Sequence, residues 1–172
     1  ISADDFTVYV SSDNATFTYV YKDMPDVVTV PVGFYTVSAE NVTESVSLSQ
    51  PDQWGQARYY GVTEEKEVTT DIAPTQYSLT CTMINTAVSV EFGENIDMHF
   101  SDYSVKAYTD ENRKLDYLPT ADKAGYFSAK TLYYEFTGKY LDNSEPMTIT
   151  GSKQLQPATH LHLTFRMSEQ NG

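Results

Sequence analysis

The sequence predicts an all-β fold, a sandwich or barrel of short strands joined by tight turns. Two observations predict it. The 172 residues include 21 Thr, 15 Val and 14 Tyr, residue types that fit a pleated, half-buried surface. Apolar and polar residues also alternate with a period of two in segment after segment, whereas the 3.6-residue period of a helix is nearly absent. Charged residues make up 20% and aromatics 13%, so the chain carries the apolar material that an acidic disordered tail lacks.

The elements follow in order. Residues 6–10 alternate, and Ser11-Ser12-Asp13-Asn14 supplies turn chemistry before a second strand at 16–21. A strand at 27–30 meets Pro31 and Gly33, which mark a tight turn into residues 34–37. Strands are then predicted over 58–62, 67–70, 77–83, 87–92 and 103–109, and later over 132–136, 147–150 and 160–167. The last alternates most clearly, with Leu161, Leu163, Phe165 and Met167 on one face and His160, His162, Thr164 and Arg166 on the other. Residues 94–100 are the one helix candidate, about two turns with acids at the start. Cys81, set between threonines, reads as a small hydrophobe on the buried face of a strand. A boundary near Asn85 leaves each half few strands, so residues 1–172 read as a single domain.

Eleven Lys and Arg face 24 Asp and Glu, a net charge of −13, and no basic run occurs. Such a chain repels a phosphate backbone or an anionic membrane surface, which excludes nucleic acid as a default partner. Residues 1–100 hold three bases and 15 acids, whereas residues 101–172 hold eight and nine. The acid excess therefore predicts one acidic end or face. A single Cys excludes an internal disulfide and a multi-thiol zinc site. No apolar run is long enough to span a membrane as a helix. The chain opens at Ile1 rather than Met, and a leader removed upstream is the expectation.

Chemistry-bearing motifs are sparse. The eight glycines are never closer than six residues, so neither a Walker loop nor a dinucleotide fingerprint exists, and no Gly-x-Ser-x-Gly elbow is present. His160-x-His162 places two imidazoles on one strand face without a close third ligand, and the pair reads as solvent-facing rather than as a metal site. Asp110-Glu111-Asn112 reads as a charged hairpin turn, because Arg113 and Lys114 spoil a calcium loop. No catalytic residue, metal or cofactor is expected. The sole Trp54, in Gln53-Trp54-Gly55-Gln56-Ala57-Arg58-Tyr59-Tyr60-Gly61, has two readings. Trp54, Tyr59 and Tyr60 are candidate contacts for a protein partner or a sugar face, or Trp54 plugs the open end of a sandwich.

Several stretches together resemble a family of Bacteroidales cell-surface lipoproteins catalogued only as a domain of unknown function. They are Tyr19-Val20-Tyr21-Lys22-Asp23-Met24-Pro25, Val30-Pro31-Val32-Gly33-Phe34-Tyr35-Thr36-Val37, Arg58-Tyr59-Tyr60-Gly61, Tyr77-Ser78-Leu79-Thr80-Cys81-Thr82-Met83-Ile84-Asn85, Val88-Ser89-Val90-Glu91-Phe92, Phe100-Ser101-Asp102-Tyr103-Ser104-Val105 and Ala124-Gly125-Tyr126-Phe127. Arg58 stands where that pattern more often has Pro. The resemblance implies a fimbrillin-like antiparallel β-sandwich with Greek-key, transthyretin-like connections and at most one or two short helices. It also implies an exported outer-membrane lipoprotein, touching the membrane only through a lipid anchor upstream of Ile1. The expected function is non-enzymatic adhesion or fimbria-like assembly at the cell surface, including self-assembly by strand donation. The alternative is a glycan-binding module of a surface carbohydrate-processing system.

Overall fold

A computed structural model of the chain describes residues 1–110 and 112–168. It is all-β, as the composition predicts. Thirteen strands, one short helix and two 3-10 turns are found among the described residues. The chain separates into two compact units, residues 1–44 with 58–84 and residues 45–57 with 85–172.

The first unit is built on one antiparallel sheet. Its strands are β1 (Thr7–Ser11), β2 (Thr16–Val20), β3 (Gly33–Glu40), β4 (Tyr59–Val62), β5 (Lys66–Val68) and β6 (Thr82–Met83). They lie in the order β2-β1-β3-β4-β6, with β5 pairing the first half of β3. Alternation sorts the faces: Val8, Val10, Tyr35, Val37 and Ala39 are buried and pack with Phe6. Tyr77, Leu79 and Cys81 pack against this cluster, yet residues 77–81 form no ladder and only Thr82 and Met83 pair, with β4. The strand predicted over 77–83 is therefore mostly an extended, unladdered cover. The strand predicted at 27–30 is absent too. Alternation over 77–81 and β-branched content over 27–30 report which side chains suit a core-facing extended chain, which is independent of whether the backbone has a neighbour.

The second unit is a two-sheet sandwich. The three-stranded sheet has the order β10-β7-β13, from β7 (Asn85–Phe92), β10 (Gly125–Ser128) and β13 (His160–Phe165). The four-stranded sheet has the order β12-β11-β8-β9, from β8 (Phe100–Asp110), β9 (Arg113–Tyr117), β11 (Thr131–Tyr140) and β12 (Pro146–Gln154). The core joins inward residues of both sheets, among them Val88, Phe127, Val105, Tyr117, Leu132 and Phe136. Pairing is antiparallel apart from β13, which runs parallel to β7 with Leu161 beside Val88 and Leu163 beside Val90. The helix predicted at 94–100 shrinks to a 3-10 turn at Ile96–Met98, because Phe100 already enters β8. The observed helix α1 is elsewhere, at Glu44–Ser49.

The charge is less lopsided by unit than along the chain. The first unit holds three bases and 11 acids and the second eight and 13, because Asp52, Glu91, Glu94 and Asp97 fold into the second. The residues Asn171 and Gly172, where the sequence ends just past a strand, lie outside the described residues, as does Glu111 of the predicted charged turn. On either side of Glu111, the Asp110 carboxylate accepts from the backbone N–H groups of Asn112 and Arg113 at 2.9 and 3.0 Å.

Candidate functional site

Trp54 is held by the second unit. Its loop follows α1 and turns through left-handed backbone at Asp52, Gln53 and Gly55, with φ of 54°, 68° and 83°. Only glycine suits the third of these, since a Cβ on Gly55 would strike the Ser47 carbonyl. The indole is half-buried and packs edge-on against Tyr117, with centroids 5.0 Å apart at 75°. Arg113 of β9 reaches under the loop. Its Nη1 donates to the Gln53 carbonyl at 2.7 Å, its Nη2 to the Trp54 carbonyl at 3.0 Å, and its Nε and Nη2 to the Tyr126 carbonyl at 3.0 and 2.7 Å. The guanidinium is 4.9 Å from the Phe127 ring centroid, and burial lowers its pKa below the ordinary arginine value. Trp54 thus caps the sandwich core and offers solvent only part of its ring.

Tyr59 and Tyr60 belong to the first unit, side by side on β4 and both half-buried. Tyr59 packs against the core, and its N–H donates to Asn41 Oδ1 at 2.7 Å. Arg58 holds Glu40 through Nε and Nη2 at 3.1 and 2.7 Å and lies 5.5 Å over the Tyr60 ring. The Tyr9 hydroxyl donates to the other Glu40 oxygen at 3.2 Å, and burial, then the Glu40 charge, raises its pKa. This knot of charge and rings gives Arg58 its role before the tyrosine pair. Trp54 and the two tyrosines are therefore positioned by different units.

Sequence reasoning missed a larger feature of the first unit. The apolar face of β1 and β3 opens into a groove of about 830 Å³, floored by Val8, Val10, Tyr35 and Val37. Its walls are the unladdered segments carrying Met24, Val30, Ile72, Tyr77 and Leu79. Val27 and Ile72 line it while standing 59% and fully exposed. The signal in the sequence was a pair of strand-like stretches that form no strand, the valine-rich 27–30 and the alternating 77–81. Tyr77 pins the second, its hydroxyl lying 3.1 and 3.2 Å from the carbonyls of Tyr35 and Lys66, which share its single proton.

Two smaller sites complete the inventory. Cys81 is half-buried with its thiol 3.5 Å from the Ala39 carbonyl, and burial raises its pKa, which suits packing rather than nucleophilic work. His160 and His162 flank Ser89 on the solvent face of β13 and β7, with His160 Nε2 and His162 Nδ1 at 3.0 and 2.9 Å from its hydroxyl oxygen. Partial burial, then the neighbouring His162, lowers the pKa of His160. Among the described residues, no three His, Cys, Asp or Glu side chains gather as a metal cluster, and no helix is long and apolar enough to cross a membrane.

A family model described as "Domain of unknown function (DUF4493)" matches residues 2–172. No curated protein matches the chain.

Proposed function

The chain belongs to the DUF4493 family of domains of unknown function, and on that premise we propose that it acts without catalysis at a cell surface, in adhesion or fimbria-like assembly. On this reading it is an exported lipoprotein of the Bacteroidales outer membrane with a fimbrillin-like domain, as its resemblance to that family implies. The observation that carries the reading is the groove of the first unit. An apolar sheet face is roofed there by two irregular segments instead of a second sheet, and exposed Val27 and Ile72 stand in its lining. Exposed apolar side chains over a groove of this kind support a partner site there. An extended segment from another subunit could lie along it and add its backbone to a sheet edge, as in strand donation. The β2 edge of the same sheet pairs only with β1 among the described residues. Sedimentation velocity of the purified chain tests this. Oligomers that grow with concentration support it, and a strict monomer at every concentration rejects self-assembly.

A second reading, glycan binding, is supported by one observation. Tyr108 of β8 and Tyr133 of β11 stack with centroids 5.6 Å apart, and Tyr133 is 44% exposed, as on aromatic platforms that hold sugar faces. A glycan array run with Tyr133→Ala and Trp54→Ala separates the readings. Binding that neither substitution weakens, or no binding at all, discards this one.

A further inference from the structure

The pair His160 and His162 carries an inference that neither proposed role requires. They alternate with Leu161 on β13, so both imidazoles leave the sheet on its solvent face. The register sets His162 directly beside Ser89 of β7 and His160 beside Ala87, one step back on the same face. The result is convergent. His160 presents Nε2 and His162 presents Nδ1 to one point, the Ser89 hydroxyl, at 3.0 and 2.9 Å. The rings lie 3.9 Å apart between centroids with a tilt of 31°.

A serine hydroxyl has a single proton and can donate to only one of two imidazole lone pairs; the other ring must turn an N–H toward the oxygen. With the Ser89 hydroxyl rotated aside, a small cation between the two rings would take both lone pairs at once, with metal–nitrogen bonds of about 2.0–2.1 Å in place of the hydrogen bonds. Imidazole is a borderline donor that suits divalent Zn, Ni and Cu and serves the hard ions Ca²⁺ and Mg²⁺ poorly. We propose that His160 and His162, converging on Ser89, form a two-imidazole site for a divalent transition-metal ion. No cluster of three ligating side chains exists among the described residues, so water or a donor from outside completes the coordination. The site is therefore open, and its affinity follows the order expected of nitrogen ligands, strongest for Cu²⁺. The strand pairing fixes both backbones beforehand, so little ordering is lost on binding.

Calorimetric titration of the untagged chain with NiCl₂, ZnCl₂ and CuCl₂ tests the site, beside His160→Gln, His162→Gln and the double variant. His99→Gln is the control, because His99 lies on the segment before β8 and joins no cluster of three ligating side chains among the described residues. The wild type and the control should each bind one ion per chain, each single variant should bind about tenfold or more weakly, and the double variant should lose the site. Electron paramagnetic resonance of the Cu²⁺ form should show two equatorial imidazole nitrogens. All these side chains face solvent, so circular dichroism of the variants should match the wild type. A wild type without saturable binding, or a double variant that binds as well as the wild type, overturns the proposal.

Discussion

Arg113 Nη2 donates to the carbonyl of Trp54 at 3.0 Å, tying the only tryptophan to the sandwich through its backbone rather than its ring. The same buried guanidinium satisfies the Gln53 and Tyr126 carbonyls. Arg113→Ala strips donors from three carbonyls at once and should cost about 2–4 kcal/mol. Arg113→Lys should recover only part of this, since an ammonium lacks the planar fork. Urea denaturation measures the loss. Trp54 emission should also shift to the red in native buffer, because the loop is released while the sheets stand.

Tyr117 predicts how stability responds to alkali. Its hydroxyl donates to the Val88 carbonyl at 2.7 Å in the core, and burial raises its pKa well above the ordinary tyrosine value. The unfolded phenol ionises near pH 10 (about 10 in model peptides) and the folded one only at higher pH. Its contribution is thus complete below that pH and is lost as pH rises through the folded value. Tyr117→Phe should lower stability at neutral pH by about 1 kcal/mol and flatten the alkaline decline. Some decline should persist, since burial also raises the pKa values of Tyr9 and Tyr77. Thermal melts from pH 8 to pH 11 decide it.

Gly55→Ala should destabilise the second unit by about 1–3 kcal/mol. Its backbone is left-handed and a Cβ would strike the Ser47 carbonyl. Calorimetry of the variant beside the wild type checks the value.

Cys81 should react slowly with a thiol reagent in the native chain and fast in urea. It packs against the core of the first unit and its thiol is less acidic than a free one. A native rate equal to that of glutathione would contradict this placement.

How much of this was legible in the sequence depends on the kind of signal. Strong alternation located β1, β2, β7 and β13, because a period of two with one apolar face specifies both strand and orientation. Strand β9 escaped because Arg113 occupies an inward position, so Arg-Lys-Leu-Asp-Tyr looks polar while its burial alternates cleanly. Strand β10 is four residues long and starts on Gly125. The helix α1 has three serines in six residues and no helical period to detect. At the site, Trp54, Tyr59 and Tyr60 stood out as unusual residue types, but sequence proximity said nothing of their separate units. The groove was illegible because it arises where strand-like segments fail to pair, and pairing depends on distant backbone. The convergence of His160 and His162 on Ser89 was hidden for the same reason, since Ser89 reaches them only through the parallel register of β7 and β13.

The central claim is that the groove of the first unit receives a segment of another molecule. Sedimentation velocity of the wild type beside a Val27→Asp, Ile72→Asp double variant tests it most directly. Both side chains line the groove and stand exposed, so the substitutions should spare the fold while placing charge where an apolar segment would lie. The wild type should associate as its concentration rises and the variant should remain monomeric with an unchanged circular dichroism spectrum. A wild type that stays monomeric throughout, or a variant that associates just as strongly, would contradict the claim.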